Sequence, residues 1–582
     1  VSKILHFFKK HFESRAEVLR LFRPYRRSQI VLLALSVAGL LLGLLNPYFS
    51  KLVIDEAIMK KNVGAFIFLG CATTGIYLGV GLLKAWIDLL ERRMKLDVRL
   101  DLNEKVFGHL QRLPYSFFQG HSTGENMYRI YYDINQAVEL AVMIPREIVN
   151  GFPRLVFTLG ILFWMDWQIA CLTLILVPVL FIPNWVLLLK MRETWKALTV
   201  HSQGVFQFLG EKLSHIFIIK AFGKEGSELG KYLEKLRENI SLELKTVQLQ
   251  VFGTFFAGGC GRVMTGVIAL FGCFQVMRGR ITFGTLTAML LYLQEFAGLQ
   301  HVFSSFLQNV STGLISWRRI DEIMKAQPFT AGLPLDREKG PNSAEIRFRN
   351  VSFAYVKDAP ILENLNFEMP RGVLALVGPS GCGKTTILNL LLRMFEPGAG
   401  EILVRGWDAK GASEEAFRGH ISAAFQEPFL WDASVEENIR YGKEDATQQE
   451  MLDAARLALV DEVVRKLPMG YATVIGENAC KISEGQKQKI AIARALIKDP
   501  KVLILDEAMA AMDSLSEEKI LGNLKAHKKD MTVILVSHRL STVMHADIVY
   551  YMKSPGEIKA DTPSSMLRRD SDLAVLFSGQ KA

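Results

Sequence analysis

The 582-residue chain has no paired cysteine pattern and no acidic excess, and beyond about residue 325 it has no long apolar run. Its six cysteines, Cys71, Cys171, Cys260, Cys273, Cys382 and Cys480, show no shared spacing, which argues against a disulfide framework or a zinc site. No cleavable signal segment is visible. Residues 1–27 instead include Phe7, Phe8, Lys9, Lys10 and Phe12, a basic and amphipathic pattern that fits a helix lying on a membrane surface. The formal net charge of +10 raises nucleic acid as a partner. Lys and Arg, however, gather at the ends of apolar runs, which is the positive-inside pattern, and no nucleic-acid partner is expected.

What the chain has in abundance is apolar sequence, 50% of its residues, concentrated in the first half. A membrane-crossing helix needs roughly 20 largely apolar residues. Six stretches qualify, at about 29–50, 63–90, 141–165, 168–189, 251–276 and 281–306. Residues 30–45 and 169–181 carry no charge at all, which speaks against the buried core of a large soluble protein. The connections after the first, third and fifth stretches are short, whereas 91–139 and 190–248 are long and charged. Helical periodicity over 98–113 and 205–236 predicts that the spans continue as helices beyond the bilayer and turn back near Pro114–Phe118 and Ser214–Phe217. The apolar side chains at those turns suit docking into a partner domain, or a plain solvated hairpin. Arg20, Arg23, Arg26, Arg27, Arg92, Arg93, Lys95, Arg99, Arg318 and Arg319 predict that this side is cytoplasmic, with both termini. Lys84, Asp88, Arg146, Glu147, Arg154, Arg262, Gln294 and Glu295 interrupt the spans. They read either as a polar pathway or as charges near helix ends that pair locally.

Pro328, Gly332, Pro334, Gly340 and Pro341 break any helix over the next stretch. The expected organisation is an all-α transmembrane domain of six helices (28–325), a linker (326–344) and an α/β nucleotide-binding domain (345–582). The second domain is organised around Gly378-Pro379-Ser380-Gly381-Cys382-Gly383-Lys384-Thr385-Thr386, which fits G-x-x-x-x-G-K-[ST] between an aliphatic strand and a helix. Glycines let backbone N–H groups wrap a phosphate, and the helix start adds positive partial charge. Lys384 is placed to reach the β- and γ-phosphates of ATP, and Thr385 to ligate Mg²⁺. The strand Val502–Leu505 ends in Asp506 and Glu507, a metal-shell carboxylate followed by a candidate for polarising the attacking water. Tyr355 is an aromatic able to stack on a base. Gln426 follows a strand and is a candidate for metal or water. Ser483, Gly485 and Gln486 open a periodic helix, which suits either an anion site or a plain N-cap. Asp513 follows shortly after Glu507, and His538 ends a further buried strand, where it can sense a γ-phosphate.

Together and in this order, these segments resemble the ATP-binding cassette family over essentially the whole chain. Six spans followed by one cassette are similar to an exporter-type half-transporter, such as bacterial lipid flippases and multidrug exporters. The resemblance implies that Tyr355 is the A-loop aromatic, Gln426 the Q-loop, Ser483-Glu484-Gly485-Gln486 the signature, Asp513 the D-loop and His538 the switch histidine. It implies that Thr473-Val474-Ile475-Gly476-Glu477 is the X-loop. It also places Thr123-Gly124-Glu125, Arg129, Asp133, Glu211, Ile219–Phe222 and Glu225 beside coupling helices. Further implications are ATP and Mg²⁺ as ligands, a bacterial inner membrane, lipid surroundings, an unidentified transported substrate, and a second half-transporter that sandwiches ATP. Alternating access is then driven by ATP binding the closed state better. The chain departs from the family at Glu484, where Gly is usual, and at Met509–Met512. The partner is therefore either an identical chain or a different one. A nucleotide-gated channel and an importer are rival readings. Intact Glu507 and His538 argue against the first, and the fusion of spans to cassette argues against the second. The absence of a peptidase domain ahead of the spans speaks against a leader-cleaving peptide exporter.

Overall fold

The computed structural model describes residues 23–120, 123–328, 345–356, 359–476, 482–527, 530–570, 573, 575 and 577. These fall into two compact units that divide between residues 327 and 328, with 114–116 grouped with the second. The surface segment expected over 1–27 lies almost wholly outside the described residues, as do Glu477 and Cys480.

The first unit is helical. Its long helices are α1 (Arg26–Leu52), α2 (Val63–Gln111), α3 (Ile134–Asn150), α4 (Phe152–Met165), α5 (Trp167–Ser214), α6 (Glu225–Met277) and α7 (Phe283–Lys325). The predicted long continuations are present: α2 runs 49 residues, α5 48 and α6 53. A helix of 49 residues is roughly 75 Å long, more than twice the hydrocarbon thickness of a bilayer. The turn-back segments are themselves short helices, Tyr115–Gly120 and Ile216–Ala221. The stretch expected as one span over 141–165 is instead two helices joined at Gly151, with Pro153 in the first turn of α4, where its missing N–H is no loss. Among the described residues, three helices are long and apolar enough to cross a membrane: Arg26–Ile58, Val63–Gln111 and Glu225–Met277. Much of their apolar surface is uncovered. Phe68 and Leu82 on α2 are each 73% exposed, a face stable only against hydrocarbon or a partner. Lys84 and Arg262 are exposed, Arg154 is half-buried, and the side chains of Arg146, Glu147 and Glu295 lie outside the described set.

Two π-turns interrupt this unit, at Val53–Ile58 and Arg129–Asp133. At both, a carboxylate ties the turn to α7, half-buried at Asp55 and fully buried at Asp133. Asp55 accepts from the backbone N–H of Gly284 at 3.0 Å and the Thr282 hydroxyl at 2.5 Å, which joins the end of α1 to the start of α7. Asp133 accepts from Ser316 Oγ at 2.7 Å and lies 3.5 Å from Arg319 on α7. Arg129 meets Glu125 at 2.6 Å and Glu322 at 3.4 Å. Burial holds the Asp133 carboxyl above its ordinary range despite Ser316, Arg319 and Arg129.

The second unit has two sheets. One is antiparallel, ordered β2-β1-β4-β5, from β1 (Ile346–Phe353), β2 (Leu362–Met369), β4 (Ala399–Val404) and β5 (Trp407–Asp408). The other is ordered β10-β9-β3-β8-β7-β6, from β3 (Val373–Val377), β6 (Ile421–Ala424), β7 (Val502–Asp506), β8 (Thr532–Val536), β9 (Ile548–Ser554) and β10 (Glu557–Asp561). Strands β3, β6, β7, β8 and β9 pair in parallel. β3 and β8 are buried on both faces, which explains their unbroken aliphatic sequence. Parallel pairing sets the C-terminal ends of β3, β6, β7 and β8 along one edge. In open parallel sheets this edge holds ligands, and the glycine loop, Gln426, Asp506-Glu507 and His538 all follow strands that end there.

Candidate nucleotide site

The glycine loop follows β3 and feeds α8 (Lys384–Leu391). Gly378 passes so close to β9 that a Cβ there would lie 2.3 Å from the Met552 carbonyl oxygen. Gly381 and Gly383 have φ of 82° and 107°, the left-handed region where side chains are strained. The glycines therefore follow from the turn itself. Lys384 is buried, and its Nζ donates to the carbonyls of Gly378 at 2.8 Å and Pro379 at 2.9 Å. Its ammonium is thus held over the loop and not in solvent. Ser380 and Thr385 are exposed, while Thr386 is buried beneath. Cys382 is a buried packing residue of the loop.

Tyr355 sits just past β1. Its hydroxyl accepts from Asn389 Nδ2 at 3.0 Å, and its ring packs edge-on against Phe353 and Phe395, with centroids 4.9 and 5.0 Å away. It is 38% exposed, so one ring face remains available. Asn389, on α8, ties this aromatic to the glycine loop, and the sequence reading did not find it.

Asp506 ends β7 and Glu507 follows with φ of 48°, a left-handed conformation unusual for a non-glycine residue. Its backbone N–H donates to Val536 O at 2.9 Å, so β8 imposes the kink. The kink aims Glu507 at the end of β8, where His538 Nε2 lies 3.1 Å from Glu507 Oε1. Burial and the neighbouring Glu507 push the Asp506 carboxyl up, while Lys384 and His538 pull it down. The structure thus brings Lys384, Asp506, Glu507 and His538 into one electrostatic neighbourhood.

The remaining predicted residues form a second cluster. Gln426, exposed, lines a cleft of 710 Å³ with Glu427, Phe429, Glu484, Gln488 and Ala511. Ser483 precedes α9 (Glu484–Leu496), and its N–H donates to Gln486 Oε1 at 2.9 Å in a reciprocal cap. Gln486 is thereby committed to its own helix. Gly485 lies against the loop after Glu507: a Cβ there would be 2.8 Å from Ala511 O. Glu484 is exposed and 3.2 Å from Lys487 one turn on, so its charge has a cation partner within the helix. Asp513 accepts from Ser516 N–H and Oγ, both at 2.8 Å, and thereby caps the helix Ser514–His527. The backbone bond from Ser516 holds its carboxyl below the ordinary range.

Three further residues were not legible as site residues. Gln488, buried on α9, accepts from Ala511 N–H at 3.1 Å and donates to Gln426 O at 3.5 Å. Arg494 donates to Phe429 O at 2.7 Å and Asn438 O at 2.9 Å, which fixes the segment after Gln426. Arg539, next to His538, reaches the Ala510 and Met512 carbonyls. Only the position of Arg539 beside the histidine hinted at any role.

Residues 30–299 match the family model described as "ABC transporter transmembrane region", and residues 362–510 match "ABC transporter". The chain is 31% identical to the "ATP-dependent lipid A-core flippase" of Syntrophus aciditrophicus (strain SB), over 97% of this chain and 94% of that one. It is 29% identical to the "Fatty acid ABC transporter ATP-binding/permease protein" of Mycobacterium bovis, over 83% of this chain and 76% of that one. The solved structure of a bacterial Atm1-family ABC exporter with ATP bound shares the fold, with a TM-score of 0.83 at 24% identity over 96% of this chain and 100% of that one. The chain therefore belongs to the ATP-binding cassette transporter family, as a multi-pass, ATP-hydrolysing half-transporter of the exporter type.

Proposed function

We propose that the chain exports an amphiphilic, lipid-like substrate, using ATP held by its glycine loop and hydrolysed with Glu507 orienting the attacking water. One observation carries this reading: Glu507 and His538 meet at 3.1 Å on the sheet edge from which the glycine loop departs. A carboxylate held by an imidazole is a water-activating pair, and its strained backbone is the kind of outlier that clusters at active sites. Lys384 exchanges loop carbonyls for β- and γ-phosphate oxygens, and His538 keeps Glu507 aimed while reaching the γ-phosphate. Tyr355 stacks on the base. Gly378, Ser380, Gly381, Gly383 and Thr386 shape the phosphate cradle.

The donors also fit Mg²⁺. Thr385, Gln426 and Asp506 offer only oxygen, the choice of a hard cation. Burial first and then the neighbouring Glu507 carboxylate push the Asp506 carboxyl up, and a divalent cation relieves that repulsion. When bound, Mg²⁺ neutralises charge on the β- and γ-phosphates.

A second half-transporter supplies Ser483, Gly485 and Asp513 across the nucleotide, with its Gln486 capping the helix that presents Ser483 and Gly485. The Glu484–Lys487 pair supports a partner of identical sequence, because the extra carboxylate is compensated where it stands. A different partner chain is the second reading. Glu484 at the first turn of α9 cancels part of the field that the helix start offers a phosphate, which favours a weaker site there. The basic clusters at 20–27, 92–99 and 318–319 support cytoplasmic termini and cassette, and the bacterial relatives support an inner-membrane location. The lipid-like substrate is supported by what the relatives are said to carry.

The test is ATP turnover of the full chain purified alone in lipid nanodiscs, with a lipid A-type glycolipid, a fatty acid and a polar peptide added in turn. Turnover alone, stimulated by the lipids, is expected. Turnover that requires a second chain selects the heterodimer. Stimulation by the peptide only overturns the substrate class.

A further inference from the structure

The loop between Glu507 and Asp513 is a pair of turns, closed by Ala510 N–H to Glu507 O and Met512 N–H to Met509 O, both at 3.0 Å, and three of its remaining backbone polar groups are taken up by two side chains from different elements. Arg539 Nη2 donates to Ala510 O at 2.6 Å, and Nη1 donates to Met512 O at 3.3 Å. The same Nη1 lies 3.2 Å from Oε2 of Glu517, whose side chain is only 3% exposed and whose other oxygen accepts from the Thr542 hydroxyl. From the opposite side, Gln488 on α9 takes the Ala511 N–H. Arg539 is covalently next to His538, and its own N–H donates to Ser537 Oγ at 3.0 Å. The planar guanidinium suits this task, since it holds several donors in one rigid fork that a Lys ammonium lacks.

We propose that Arg539 is a positioning residue that makes the loop 510–513 follow His538. When the histidine responds to the γ-phosphate, the guanidinium carries the displacement to the Ala510 and Met512 carbonyls, and so to Asp513 and the dimer face. Glu517 keeps the guanidinium oriented and compensates its charge. Arg539 acts through the loop 510–513 and not on the nucleotide. The inference rests on the glycine loop being the nucleotide site, and the experiment separates the two.

The experiment uses the full chain in nanodiscs in a Glu507→Gln background. ATP affinity is measured alongside hydrogen–deuterium exchange of peptides covering 508–516, with and without Mg·ATP. With Arg539 intact, ATP slows exchange over 508–516. In Arg539→Ala the expected affinity is within about twofold of the parent, while the ATP-dependent slowing is lost. Arg539→Lys, which keeps charge but not the fork, recovers part of it and covers the case in which the alanine variant fails to fold. On the Glu507 background, Arg539→Lys is expected to lower turnover about tenfold at unchanged KM for ATP, the size of one lost charged hydrogen bond. An ATP response over 508–516 that persists in Arg539→Ala, or that keeps its full parental size in Arg539→Lys, overturns the inference. Loss of ATP binding in the parent overturns the nucleotide-site reading instead.

Discussion

Replacing Gly485 by Ala sets two effects against each other, and the structure decides between them. Gly485 occupies the first turn of α9, where Ala is the better helix former by about 1 kcal/mol. The new Cβ, however, would lie 2.8 Å from Ala511 O, 3.5 Å from Ala511 C and 3.7 Å from Met512 Cα. All three neighbours are backbone, so no rotamer can swing away. Relief requires the loop to withdraw by about half an ångström, the overpacking regime that costs about 1–3 kcal/mol. That shift would stretch the 3.1 Å bond from Ala511 N–H to buried Gln488 past hydrogen-bonding range, a further loss of about 1 kcal/mol. The net expectation is destabilisation of about 1–3 kcal/mol, an apparent Tm lower by roughly 2–10 °C for a cassette-sized domain. Turnover should fall as well, because the displaced loop carries Asp513. The assay is thermal denaturation and ATPase activity of the full chain in nanodiscs, with Gly522→Ala as control. Gly522 also sits in a helix, Ser514–His527, but nothing lies within 4 Å of its Cβ position, so that variant should gain stability with unchanged turnover. A Gly485→Ala chain as stable and as active as the control would refute the close-approach argument.

Asp133→Ala removes the buried carboxylate facing Ser316 and Arg319 and should cost about 3 kcal/mol or more, read as a lower apparent Tm in the purified chain. Asp133→Asn, which can still accept from Ser316, should cost less. Asp55→Ala frees the Gly284 N–H and the Thr282 hydroxyl and should lower stability by about 1–2 kcal/mol by the same measure. Gly284→Ala should do likewise, since its Cβ would stand 2.6 Å from Asp55 Oδ1. Chelating divalent cations should abolish ATP turnover, and added Mg²⁺ should restore it in the native chain but not in Asp506→Asn.

Much of this protein is legible from its residue order, for a physical reason. Long uncharged runs such as 30–45 permit only a few structures, and a glycine loop between an aliphatic strand and Lys384-Thr385 permits one. The strands that lead into Asp506 and His538 identify themselves because a buried parallel strand is apolar throughout and then stops. What stays hidden are contacts set by the meeting of distant elements. Nothing around Asp55 announces that it holds the start of α7, more than two hundred residues on. Gln488 and Arg539 look like ordinary polar positions, and only the fold sets them against the Ala510–Met512 backbone. The break at Gly151 escapes a hydropathy reading because apolar runs flank it on both sides and their summed length suits one span. Glu484 looked like an electrostatic fault in sequence, and one helical turn provides its cation, Lys487.

The central claim is that a nucleotide on the glycine loop is hydrolysed by water that Glu507 activates. The measurement that meets it most directly is ATP binding and ATP turnover, side by side, on native chain, Glu507→Gln and Lys384→Ala in the same membrane. Glu507→Gln should bind ATP like the native chain while turnover falls at least about a hundredfold, and Lys384→Ala should lose binding. Turnover surviving in Glu507→Gln, or full ATP binding without Lys384, would contradict it.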